Sequence, residues 1–198
     1  MAAAGVAGAV IAAVLPATAA ATANTSGTAH AGEAGRRPAS VTVERGHALG
    51  CQGSSAGVEV AVELYENSEF GTHASVFVQS PDGAYRGGYG PGDTGIFRHG
   101  RIAAAVALEP MGEPGGAEPG ATAAPHSAEA VVTGTYVRSG RPTPVHEVIE
   151  DAGQTIVIDG LNTALRTAAT VAVLGRTIPL TCDTAFAFDL LVRKYPMP

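Results

Sequence analysis

The sequence predicts an all-β fold, an antiparallel β-sandwich of roughly eight to ten strands that is Ig-like in the broad sense. Three observations predict it. From Val41 onward apolar residues recur at every second position, which is the period of side chains that alternate between the two faces of a strand. Several of these runs end at glycine (Gly140, Gly160, Gly175), the residue that turns most easily through positive φ. The chain is also long enough, at 198 residues with 45% hydrophobic and 15% charged, to bury a core within one domain. A jelly roll or a closed barrel satisfies the same pattern.

Met1–Ala23 carries no charge, has an apolar stretch over residues 5–15 and ends in Ala21-Thr22-Ala23, small residues at the spacing a signal peptidase accepts. It reads as a signal peptide. A membrane anchor is the weaker reading, because a span needs about 20 strongly apolar residues. Residues 24–39 are small, polar and aperiodic and read as a flexible leader; 40–198 read as the single β domain. No stable membrane insertion is expected after cleavage. Eleven Arg against one Lys, with the Ala and Gly excess, read as the composition of a GC-rich bacterial genome.

Within the domain, Val58, Val60, Val62 and Leu64 share one face of a strand, with Glu59 and Glu63 on the other. Ala74, Val76 and Val78 repeat the pattern, and Ser80-Pro81-Asp82-Gly83 follows as a turn. Further strands are expected at 101–109, 131–138, 144–149, 154–159, 167–174 and 184–192, with a short helix as an alternative over 161–166. The run Arg101–Leu108 is apolar on both faces, one of them made only of alanine. That implies a central strand with something packed on its alanine side. Phe186, Phe188, Leu190 and Val192 should line the inner surface of the sheets. Residues 110–127 hold four Pro and four Gly and no large aliphatic side chain, so they should form a flexible surface loop.

Cys51 and Cys182 are the only cysteines. With no CxxC and no Cys–His spacing, and with export expected, they should be bridged.

Candidate chemistry is sparse. Gly53-Ser54-Ser55-Ala56-Gly57 matches G-x-S-x-G, but that elbow needs a helix after Ser55 and an alternating strand follows instead. Asp93-Thr94-Gly95 resembles the Asp-Thr-Gly turn of the aspartic proteases over three residues. That chemistry needs two carboxylates sharing a proton, and Asp183-Thr184-Ala185 is an imperfect second copy. The segment therefore reads as a Pro-Gly-Asp-Thr-Gly turn. The six histidines (His30, His47, His73, His99, His126, His146) show no metal-ligand spacing. Glu147, Glu150 and Asp151 lack the alternation of a calcium loop and read as a solvated acidic edge. Neither a metal nor any other cofactor is expected.

The strongest contact candidate is Ala84–Gly92, read as a glycine-rich loop that presents Tyr85, Arg86 and Tyr89. Tyr and Arg are enriched where binding energy concentrates. The net charge of -6 disfavours nucleic acid, which calls for dense Lys and Arg. The expected function is a secreted non-enzymatic module that binds a protein partner or cell-envelope component through loops at one end of the sandwich. The alternatives are an extracellular hydrolase whose site assembles from distant residues, with Asp93, His99 and Ser55 first in line, and a structural envelope protein without a ligand. No motif encodes an oligomeric state.

Overall fold

The computed structural model describes residues 37–90, 95–111 and 128–196. The segment expected to be a signal peptide, most of the expected leader, Asp93 and Thr94, His30, His126 and nearly all of residues 110–127, expected as a loop, lie outside the described residues. The rest is strand and turn, all of it antiparallel: β1 (Ser40–Ser55), β2 (Val58–Asn67), β3 (Gly71–Ser80), β4 (Gly83–Tyr89), β5 (Phe97–Arg98), β6 (Arg101–Pro110), β7 (Ala128–Arg138), β8 (Thr143–Asp151), β9 (Gln154–Val173) and β10 (Arg176–Pro196). Among the described residues no helix is long and apolar enough to cross a membrane.

The alternation expected for β2 and β3 is present: Val58, Val60, Val62, Leu64, Ala74, Val76 and Val78 are all buried. Their partners follow the same register, Val60 opposite Val78 and Leu64 opposite Ala74. Each buried row therefore continues across the sheet. The strands pair in the order β10-β1-β2-β3-β4-β6-β7-β9-β8, and β9 also pairs with β10. The hydrogen-bonded path from β10 through β1 to β9 thus returns to β10, a circuit of eight strands, with β8 outside it and β5 attached to β6. Inward residues from around this circuit meet in one core, including Leu49, Val62, Val76, Ile102, Val106, Val132, Val171 and Ile178.

The turns explain how so many strands pair with sequence neighbours. Ala56-Gly57, His99-Gly100, Ala152-Gly153 and Leu174-Gly175 each take positive φ at both residues, the conformation whose twist matches two-residue hairpins. At Ser80-Pro81-Asp82-Gly83 the Ser80 hydroxyl donates to the Gly83 carbonyl at 2.9 Å.

Cys51 and Cys182 are bridged. They face each other across β1 and β10, beside a register irregularity at Gly50/Cys51. The strand runs expected at 154–159 and 167–174 are one continuous strand, β9, and the helix considered at 161–166 is absent. β9 changes partner midway: Gln154–Asn162 pair with β8, whereas Leu165–Ala172 pair with β7.

Two expectations about faces require correction. In β6, Ile102, Ala104, Val106 and Leu108 are buried, but Ala103, Ala105 and Ala107 are exposed. The strand is paired on both edges, yet among the described residues no layer covers its alanine side; small side chains there simply face solvent. In β10 the core receives Ala185 and Ala187, not Phe186 and Phe188. The aromatic rings lie on the opposite face, where Phe188 stacks on Tyr65 at 5.7 Å. Gly46 permits this, because a Cβ there would meet the Glu66 carbonyl oxygen and come within 2.6 Å of Phe188 Cζ.

Candidate functional site

The strand directions sort the candidate residues between the two ends of the circuit. Ser55 closes β1 at the β1–β2 hairpin, and Ala56-Gly57 lead directly into β2. No helix follows it, so the nucleophile elbow has no structural basis. His99 is exposed in the β5–β6 turn at the opposite end of the strands. Ser55 and His99 therefore do not converge. Asp183 and Thr184 lie within β10.

The expected loop at Ala84–Gly92 is instead strand β4 as far as Tyr89. Glycine-rich sequence ordinarily resists strand formation, but β4 is held between β3 and β6. Tyr85 and Tyr89 pair with the inward residues Val78 and Ala74 and pack half-buried against the core. Arg86 is exposed on the other face, opposite Phe77. The three side chains consequently do not form one surface. Burial pushes the Tyr89 hydroxyl pKa up, and the nearby Glu66 charge adds to this.

Glu147, Glu150 and Asp151 project from β8 into solvent. Among the described residues no group of three or more His, Cys, Asp or Glu is placed to hold a metal ion. His73 is exposed on β3. His146 is occupied: its Nδ1 donates to Asp159 Oδ1 at 2.6 Å, and Arg193 donates to Asp159 Oδ2 at 2.6 Å. The His146 bond, with help from Arg193, holds the Asp159 carboxyl below its usual range.

The end of the circuit away from Ser55 carries the most developed polar arrangement, and it centres on His47. Position 47 precedes the inward Leu49 and Cys51 by two and four residues, so alternation points it inward as well. Its ring stacks on Phe97 at 4.9 Å and meets Tyr136 edge-on at 5.1 Å. Phe97 is brought there by Glu66, whose Oε2 accepts the backbone N–H groups of Ile96 at 2.8 Å and Phe97 at 3.2 Å. Glu66 in turn extends the inward row of β2 by one step beyond Leu64. Burial lowers the His47 pKa from 6.5; Glu66 opposes that shift and Arg138 reinforces it. Its Nδ1 is buried and has no hydrogen-bond partner.

A cleft of about 230 Å³ opens beside this ring. The pairing register builds its floor: His47, Ala187 and Thr163 form one cross-strand row, and Arg45, Asp189 and Leu161 form the next. Arg138 and Pro142, on either side of the β7–β8 link, form the facing wall. Arg45 Nε is paired with Asp189 Oδ2 at 3.0 Å. Arg138 makes no ion pair among the described residues. The cleft thus holds two guanidinium groups against one carboxylate, beside an imidazole biased toward its neutral form.

Sequence motifs gave no sign of this site, because His47, Arg138 and Thr163 belong to no spacing pattern. The usable signal was register. Extending the inward positions 49 and 51 back to 47, and 62 and 64 forward to 66, places His47 and Glu66 at one end of the core. Comparisons with known protein families, curated proteins and solved structures find no match to this chain.

Proposed function

We propose that the chain is an exported, non-enzymatic binding module that seats a carboxylate group of a protein partner in the cleft beside His47. This keeps recognition at one end of the strands but assigns it to a strand-built floor and the β7–β8 link. Tyr85, Arg86 and Tyr89 are not its contact surface. The observation that carries the reading is Arg138, a cation without an ion-pair partner among the described residues, facing a cleft whose other guanidinium is already matched by Asp189. Guanidinium groups suit carboxylates because their forked donors meet both oxygens. The cavity volume fits a chain end or one side chain better than a whole small-molecule ligand, whose pockets are usually about 300–1,000 Å³. Thr163 supplies a hydroxyl on the floor. The disulfide is compatible with an extracellular location.

Chemical-shift mapping with N-acetyl-Ala-Ala bearing a free carboxylate, compared with the same dipeptide amide, tests the reading. The carboxylate form should move the amide signals of His47, Thr163 and Ala187, and Arg138→Ala should abolish the response. Equal responses to both dipeptides, or none at these positions, would overturn it.

A further inference from the structure

Beyond the cleft, β8 presents a sheet edge with no strand paired to it among the described residues. It pairs with β9 along its whole length, Thr143 opposite Asn162 to Asp151 opposite Gln154, and is the last strand on the pairing path. Eight of its nine residues are exposed; Val145 is the exception. Val148 and Ile149 are neighbours and so lie on opposite faces, yet they are 54% and 43% exposed. A strand laid along the edge would cover both, because cross-strand neighbours are the unit in which sheets bury side chains.

The charge on β8 determines what kind of strand that is. Glu147, Glu150 and Asp151 give this edge three carboxylates. The cations Arg193 and Lys194 lie two strands away on β10, opposite Val157 and Ile156. Arg193 is already engaged by Asp159, and His146 is bonded to the same carboxylate. A second copy of this chain would bring a strand of the same acidic composition, and an antiparallel self-pairing centred on residue 147 sets Glu147 against Glu147. Charges at an edge deter such self-association, and the same repulsion discriminates among partners.

We infer that β8 is a docking edge for an extended, lysine- or arginine-bearing segment of a partner protein, which adds to the sheet as a strand beside β8. Backbone hydrogen bonds supply the adhesion in this mode, while alternate side chains supply the selectivity. The basic side chains meet Glu147, Glu150 and Asp151, and the apolar ones cover Val148 and Ile149. This site is separate from the cleft, so either one stands if the other fails.

The test uses the full chain and three nine-residue peptides, read by amide hydrogen exchange and by titration at two salt concentrations. One peptide alternates Val or Thr with Lys, the second carries Glu in place of Lys, and the third keeps the Lys content but is interrupted by Pro. The Lys peptide should slow exchange at β8 amides, and its affinity should fall with salt. Glu147→Lys/Glu150→Lys, both changes at exposed positions, should weaken it at least roughly tenfold while core amides exchange as before. Protection by none of the peptides would overturn the inference, and so would equal protection by the Glu or Pro-interrupted peptide. A dimer pairing through β8 would overturn it too, because the occupant would then be a second copy.

Discussion

Gly87→Ala probes the point where the circuit closes most tenuously. β4 and β6 share only two residue pairs, Tyr85 with Pro110 and Arg86 with Glu109. Next to them a Cβ on Gly87 would meet the Ala107 carbonyl oxygen and lie 2.9 Å from both the Ala107 carbonyl carbon and Val106 Cγ1. Ordinary contact begins at 3.4 Å, so the strands must part by at least the difference, 0.5 Å. Val106 is 1% exposed, enclosed by the core it helps to fill. Forcing an extra methyl into a packed site costs about 1–3 kcal/mol, and each backbone hydrogen bond weakened at the seam adds about 1 kcal/mol. The variant should lose about 2–4 kcal/mol, which for a chain of this size lowers Tm by roughly 4–16 °C. Gly90→Ala is the matched control: a Cβ there meets nothing within 4 Å among the described residues, so stability should hold or rise by about 0.4–1 kcal/mol through the unfolded state. Thermal and urea unfolding of the two variants measure the contrast. If Gly87→Ala melts with Gly90→Ala, the seam is not close-packed and the reasoning fails.

Three further outcomes are expected. Glu66→Ala strips the acceptor from the buried Ile96 and Phe97 N–H groups, which should cost about 1–3 kcal/mol for each donor left unpaired and accelerate exchange of those two amides; Glu66→Gln, which keeps a carbonyl oxygen, should lose less. Because burial lowers the His47 pKa from 6.5, the unfolded chain binds the proton more readily, so stability is full above 6.5 and declines as pH falls below it, until the folded imidazole protonates as well. His47→Phe keeps the stack on Phe97 and should flatten that slope in denaturant midpoints measured across the range. Cys51→Ser/Cys182→Ser should leave the fold intact, since pairing continues on both sides of the bridge, but lower stability by about 2–4 kcal/mol, below the ~5 kcal/mol ceiling of the loop-closure model; an unchanged midpoint would show that the bridge constrains nothing.

What could be read in advance followed from local physics. The alternation in Val58–Leu64 and Ala74–Val78 reports burial on one face, and the two cysteines had only each other to pair with. What could not be read depended on partners distant in sequence. Nothing in Leu161–Ala172 announces that β9 exchanges β8 for β7 midway, and that exchange lets the pairing return to β10. β4 is glycine-rich because β6 crosses it at Gly87, a contact visible only once both strands are placed. The faces of β6 and β10 depart from expectation for different reasons: a row of alanines in β6 does not require a covering layer and faces solvent, and in β10 bulk does not mark the core side. In fact Ala185 and Ala187 face the core, while Phe188 occupies the space left by Gly46 on the other side. The cleft was obscured for a related reason, since His47 and Glu66 have to be counted as continuations of aliphatic rows before they belong together.

The neighbouring positions of β1 and β10 have a mechanical consequence. Ser40 lies opposite Lys194, and the Ala39 amide donates to the Lys194 carbonyl at 2.8 Å, so the polypeptide enters and leaves the domain side by side. Tension applied between those two points loads the β1–β10 ladder as a zipper, parting one rung at a time from Ser40 inward. The tear runs as far as Gly50 and Thr184 and then reaches the covalent sulfur link, which takes the chain between Cys51 and Cys182 out of the direct path of the load until it is reduced. A tether at either extremity would therefore open this seam, Leu49 and Ala187 of the core included, and stop at the link.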